Sequence, residues 1–309
     1  MLSYWRTRYE WSAREIEFVD TFATKAALKG MNFEAQRRVQ KLRCGWLPVN
    51  RRVSRCDPDR LSGCSACSPG NLVEETVDHL FRCSSPQRRA ALRARFDDMS
   101  KVFRAWKTSH HIISALHTGT LAWIEDREIP SVESLGLPDD EIGRLTRQAY
   151  LEQSDLGWNV LFRGFWTKSW RHAQEAQFQK YRTRERQDSG DQWAGKAQLW
   201  IFSIFELIWG IRNATEHGAE PETQRLIRLA KCERSIRRLY LQREALPHHE
   251  RHCFCDEMEV LLARPVSEQE LWISTTIGFL YRALRRVKSK KVTNQPTITE
   301  YYDLIQGCD

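Results

Sequence analysis

No apolar run in this 309-residue chain is long enough to cross a bilayer; the longest, Leu199 to Ile211, spans 13 residues and carries Glu206 near its centre. It predicts a buried core helix instead. The opening stretch MLSYWRTRYEWSARE has no uninterrupted apolar segment of the secretory kind, and no repeat of solenoid period recurs. Cysteine is sparse and odd in number, nine residues scattered along the chain, which excludes a dense disulfide framework. That usage points to a reducing compartment, nucleus or cytoplasm, where cysteine clusters more often bind metal. Also missing are a G-x4-G-K-[ST] phosphate loop, a G-x-S-x-G elbow and a dinucleotide glycine fingerprint, so the commonest enzyme signatures are absent. Alternating strand patterns are missing after residue 100.

What is present is core material. Hydrophobic residues make up 41% and include 12 tryptophans, while 28% charged and 11% aromatic residues exclude a disordered chain. The net charge of +8 is local: Arg37 to Arg55 holds seven basic and no acidic residues, and Arg282 to Lys291 holds six and none. Thirteen positive charges in these two segments against a total of +8 leave the remainder at −5. Such segments suit a polyanion bound by counterion release, although a solvated basic face needs no ligand.

Ser12 and Glu15 form a capping box, after which Ile16, Val19, Phe22, Ala23 and Ala26 predict one helix ending at Gly30. A second helix is expected over Phe33 to Arg43, and another from Ser85 and Pro86 to Trp106. Trp158, Leu161, Phe162, Phe165, Trp166, Trp170 and Ala173 recur at three- and four-residue steps, predicting a long helix capped by Ser154 or Asp155 with these residues in the core. Further helices are expected from Pro221, carrying Leu226, Leu229, Ile236 and Leu239 inward, and from Ser267 to Lys291. The expectation is a mainly α protein: an amino-terminal helix over 1–30, a basic zinc-binding module over 31–107, an all-α helical bundle over 108–287 and a flexible tail over 288–309.

Cys44 to Cys67 lies in a stretch broken by glycine and proline with neither helical nor strand period. Within and after it, Cys64, Cys67, His79 and Cys83 read C-x2-C-x11-H-x3-C. A tight turn lets the first pair chelate one ion, and the i, i+4 spacing of His79 and Cys83 faces both one way, so tetrahedral zinc in a closed structural site is the expected cofactor. Cys56 is an alternative to one of the four ligands.

Trp46-Leu47-Pro48-Val49-Asn50 after a basic helix, Cys64-x2-Cys67, Glu74-Glu75-Thr76 and His79-Leu80-Phe81-Arg82-Cys83 together resemble the zinc-binding region downstream of the polymerase domain in non-LTR retrotransposon reverse transcriptases. The match covers about a fifth of the chain, and Phe96-Asp97-Asp98 does not reproduce the polymerase motif. The resemblance implies a non-catalytic module contacting RNA or DNA, with Arg37, Arg38, Lys41, Arg43, Arg51, Arg52 and Arg55 on phosphate. Gln295-x-x-Ile298-x-x-Tyr301-Tyr302 resembles the peptide with which replication proteins bind the sliding clamp PCNA, making the clamp a candidate partner; the alternative is a tail packed on its own bundle. Two other function classes stay open. Arg212-Asn213-x3-His217 resembles the motif of HEPN ribonucleases, in which arginine steadies the scissile phosphate and histidine moves a proton. A structural adaptor is the other. His248, His249, His252, Cys253 and Cys255 crowd eight residues, read as a surface turn or a second metal site.

Overall fold

The computed structural model describes residues 2–55, 61–68, 73–181, 188–246 and 248–291. Among them there is no β-strand, only two isolated bridges, Val19 with Thr167 and Gly63 with Glu74. The mainly helical architecture expected from the sequence is what the chain adopts. No described helix is long and apolar enough to cross a membrane.

The helices are α1 (Leu2–Tyr9), α2 (Ala13–Phe18), α3 (Thr21–Lys29), α4 (Phe33–Arg43), α5 (Asn50–Val53), α6 (Val77–Arg82), α7 (Pro86–Ala105), α8 (His110–Ile124), α9 (Glu141–Leu156), α10 (Trp158–Leu161), α11 (Lys168–Lys180), α12 (Gly190–His217), α13 (Pro221–Leu241), α14 (Met258–Leu262) and α15 (Val266–Lys291). The chain divides into two compact units, 1–212 and 213–309, with the division near the end of α12.

In the first unit, the apolar run from Leu199 builds the buried centre, with Trp200, Ile201, Phe202, Ile204, Phe205, Ile208 and Trp209 of α12 in one cluster with Leu92, Phe96 and Phe103 of α7. Trp166, Trp170 and Trp193 are wholly enclosed in it. Each such indole removes roughly 200 Å² from water, about 5 kcal/mol before entropy is charged against it. Trp5, Trp11, Val19, Leu156, Val160 and Phe165 form a second cluster, where both Trp5 and Trp11 meet the Phe165 ring edge-on near 5 Å.

Two predicted helices are broken. The capping box of Ser12 and Glu15 forms, but the helix stops at Phe18, and a new one starts after Asp20. Asp20 accepts from the Ala23 amide at 3.0 Å and pairs with Arg171 Nε at 2.7 Å, while its own amide donates to Trp166 O. A buried N-cap tied to a distant arginine outcompetes helix continuation, and Phe22 is left half exposed. The stripe from Trp158 to Ala173 is buried as expected, yet it is not one helix. Gly157 and Gly164 take φ of +97° and +82°, ending α9 and separating α10 from α11. The wholly buried Gln153 side chain donates to the carbonyls of Gly157 and Phe165, satisfying backbone that the missing helical bonds would leave orphaned. A Cβ at Gly164 would stand 2.6 Å from the Phe202 ring in a left-handed conformation. Gly164→Ala is therefore expected to destabilise the first unit by about 2–3 kcal/mol in denaturant melts, against no more than a few tenths for Gly210→Ala, where a Cβ meets nothing.

In the second unit, Leu239, Leu246, Phe254 and Leu280 form a small core closed by Tyr240 stacked on Trp272. Ile236 and Leu239 point inward as expected, but Leu229 is only half-buried and Leu226 is exposed.

Candidate metal centre

The cysteine and histidine ligands are placed by local hydrogen bonding. The Cys64 amide donates to Val73 O and the Glu75 amide to Ser62 O, both at 2.9 Å, which pins the turn carrying Cys64 and Cys67 against the chain entering α6. Asn50 Nδ2 holds the same turn through Gly63 O at 2.9 Å. Thr76 caps α6 by accepting from the His79 amide at 3.0 Å. This helix turns Val77, Leu80 and Phe81 into the main core, where Phe81 stacks on Phe162 with ring centres 4.4 Å apart. His79 is thereby left on the face toward the turn, and Cys83 follows the last residue of the helix.

The ligand atoms of Cys64, Cys67, His79 and Cys83 all lie within 4.8 Å of one another and could hold one metal ion. Cys64 Sγ and Cys83 Sγ are 3.8 Å apart, and Cys67 Sγ is 3.3 Å from His79 Nε2. A disulfide needs a sulfur separation of about 2.05 Å, so these are free thiols. The Cys83 sulfur, hydrogen-bonded to Cys64, holds the Cys64 thiol far below its ordinary range against the opposing effect of burial, with further help from His79 and the Ala66 and Cys67 amides. Cys83 is raised, because the thiol–thiolate bond keeps the proton on it and because it is buried. Cys56 lies outside the described residues.

Behind the sulfurs sits a cluster of buried charge. Glu75, Arg88 and Arg212 are at most 1% exposed. Glu75 pairs with Arg212 Nη2 at 3.0 Å and faces Arg88 Nη2 at 3.6 Å, and it also accepts from the Asn50 amide at 2.9 Å. Arg212 Nη2 reaches Asn50 Oδ1 and Pro48 O as well. Arg88 Nη1 points to Cys64 Sγ at 3.6 Å. The sequence gives little warning of this group: Glu75 and Asn50 fall in the stretches that resemble the retroelement region, but nothing marks Arg88.

The basic residues separate into two kinds. Arg43 departs from the expected phosphate contact: it is buried, with its guanidinium 4.6 Å from the centres of both the Trp5 and Phe165 rings, and burial depresses its pKa to about 10. A cation clamped between two rings has no path to a phosphate. Arg38 makes a bidentate pair with Glu206, the shortest contact being 2.7 Å. Arg37, Arg51, Arg52 and Arg55 are exposed, and Lys41 is half exposed. Arg212, the phosphate-steadying residue of the ribonuclease motif, is committed to Glu75, and His217 is exposed five residues further along α12. Among the described residues, His248, His252, Cys253 and Cys255 assemble no metal-ligand cluster; His252 packs edge-on against Phe279. Gln295, Ile298, Tyr301 and Tyr302 lie outside the described residues.

Fold and site together define a class: a helical protein that carries a three-cysteine, one-histidine cluster able to hold one metal ion. No protein family, curated protein or solved structure matches the chain.

Proposed function

We propose that this chain is a non-catalytic nucleic-acid-binding protein whose Cys64, Cys67, His79 and Cys83 hold one structural zinc ion. Zinc–thiolate and zinc–imidazole bonds of about 2.3 and 2.05 Å in a tetrahedron require ligand separations of about 3.8 Å between sulfurs and about 3.6 Å between sulfur and nitrogen. The Cys64 and Cys83 sulfurs stand at that separation, 3.8 Å apart, while Cys67 Sγ and His79 Nε2 at 3.3 Å are closer than it and all four ligand atoms lie within 4.8 Å. Four protein ligands leave no open position for substrate, which favours a structural role.

The observation that carries the nucleic-acid reading is a run of solvent-facing cations with no carboxylate partner among the described residues: Arg37, Lys41, Arg52 and Arg55 on and after α4. Arg51 has only an exposed pair with Glu74 at 3.3 Å, which contributes little in water. Trp46, 54% exposed, projects from the same stretch, and an uncovered indole among arginines is a platform on which an unpaired base can stack. The resemblance to the zinc-binding region of retroelement reverse transcriptases supports the same reading.

The test is a salt titration of binding to single-stranded RNA and DNA. Replacing Arg37, Lys41, Arg52 and Arg55 with glutamate is expected to weaken binding at least a hundredfold and to flatten the logarithmic salt slope by about 0.7 for each phosphate no longer neutralised. Arg38 and Arg43 are left intact, because changing them would damage packing. A variant that melts normally and still binds like the parent would overturn the proposal.

A further inference from the structure

Three fully buried charges stand behind the metal-ligand cluster. Glu75 contributes one negative charge, Arg88 and Arg212 two positive ones, and all three side chains are at most 2% exposed. A buried, uncompensated guanidinium is costly, and burial is tolerated where an opposite charge lies close. Besides facing Glu75, Arg88 directs Nη1 at Cys64 Sγ, 3.6 Å away.

We infer that Arg88 is the counter-charge of the metal centre: its guanidinium hydrogen-bonds the Cys64 thiolate and offsets the net negative charge of a loaded Cys3His site. Three thiolates and a neutral imidazole around a dication sum to −1, and the Arg88 guanidinium beside the Cys64 sulfur carries +1. Arg88 is a positioning residue, placed by the first turn of α7 directly after Cys83, and Glu75 links it to Arg212 on α12. Partners of this outer kind alter metal affinity by about 10- to 100-fold when removed.

The inference rests on the metal-site reading, and its test keeps the two apart. Iron serves as the probe, because the potential of an Fe(III)/Fe(II) couple at these four ligands reports the surrounding charge, and the cost of folding is common to both oxidation states. The positive Arg88 favours the more negative Fe(II) centre. Arg88→Met is expected to shift the Fe(III)/Fe(II) ratio at fixed potential about tenfold toward Fe(III), a fall of about 59 mV for one electron. Glu75→Gln should shift it the opposite way, and Arg88→Lys should stay near the parent value. Two neutralising variants moving in opposite directions cannot come from general loosening of the site. Potentials unchanged in Arg88→Met, or both variants moving together, would overturn the role of Arg88 while leaving the metal site standing. If Glu75→Gln does not fold, the contrast between Arg88→Met and Arg88→Lys decides alone. A parent protein that takes up neither zinc nor iron would overturn the metal site itself, and this inference with it.

Discussion

Removing the proposed zinc ion with a strong chelator should abolish the cooperative melt of the 1–212 unit and not merely loosen a surface loop. The free energy of a structural zinc site is about 10–16 kcal/mol at neutral pH, comparable to the entire stability of about 5–15 kcal/mol of an ordinary domain. The segment that carries the ligands cannot disengage quietly, because Val77, Leu80 and Phe81 lie between them in sequence and belong to the main core. Cys83→Ser is expected to act like the chelator, giving almost no bound metal and no cooperative melt of the 1–212 unit. Since thiolates must be deprotonated to bind, loss should also occur on acidification, and readdition of zinc at neutral pH should restore the melt of the chelated parent. A metal-free protein with the parent's melting temperature would show that packing alone holds the segment.

Glu75→Ala is expected to cost about 3–5 kcal/mol. It strands two buried guanidiniums and the Asn50 amide, whose partners include the lost carboxylate. The contrast is Arg228→Ala. Arg228 makes a shorter bidentate pair with Glu270, at 2.6 and 2.9 Å, but both side chains are about half exposed. Water screens that pair and replaces it when broken, so its removal should change stability by less than about 1 kcal/mol. Urea denaturation of both variants with metal bound checks the ordering; equal losses would mean that the Glu75 carboxylate is reached by solvent.

Residue spacing over one helical turn was enough to set several features. The Ser12 and Glu15 capping box forms. Asn32 caps α4, which covers the expected Phe33 to Arg43, and Pro86 opens α7. Cys64, Cys67, His79 and Cys83 meet because two short local motifs, a tight turn and one turn of helix, each bring a pair of ligands together before any tertiary contact is made. The Trp158 to Ala173 stripe likewise marks its residues as core, since burial depends on how many apolar side chains share a region.

Only the tertiary structure decided the rest. Whether the Trp158 to Ala173 stripe is one helix or two depends on Gln153 reaching across two glycine turns, and apolar spacing does not register that. Basic residues look alike in sequence, yet Arg43 is spent on Trp5 and Phe165, Arg38 on Glu206, and Arg88 and Arg212 on Glu75, the last pair joined across 137 positions. A charge declares its role only through the dielectric around it and the partner it meets. Both are properties of chain segments brought together by the core, so the four-residue logic that finds caps and ligand pairs carries no information about them.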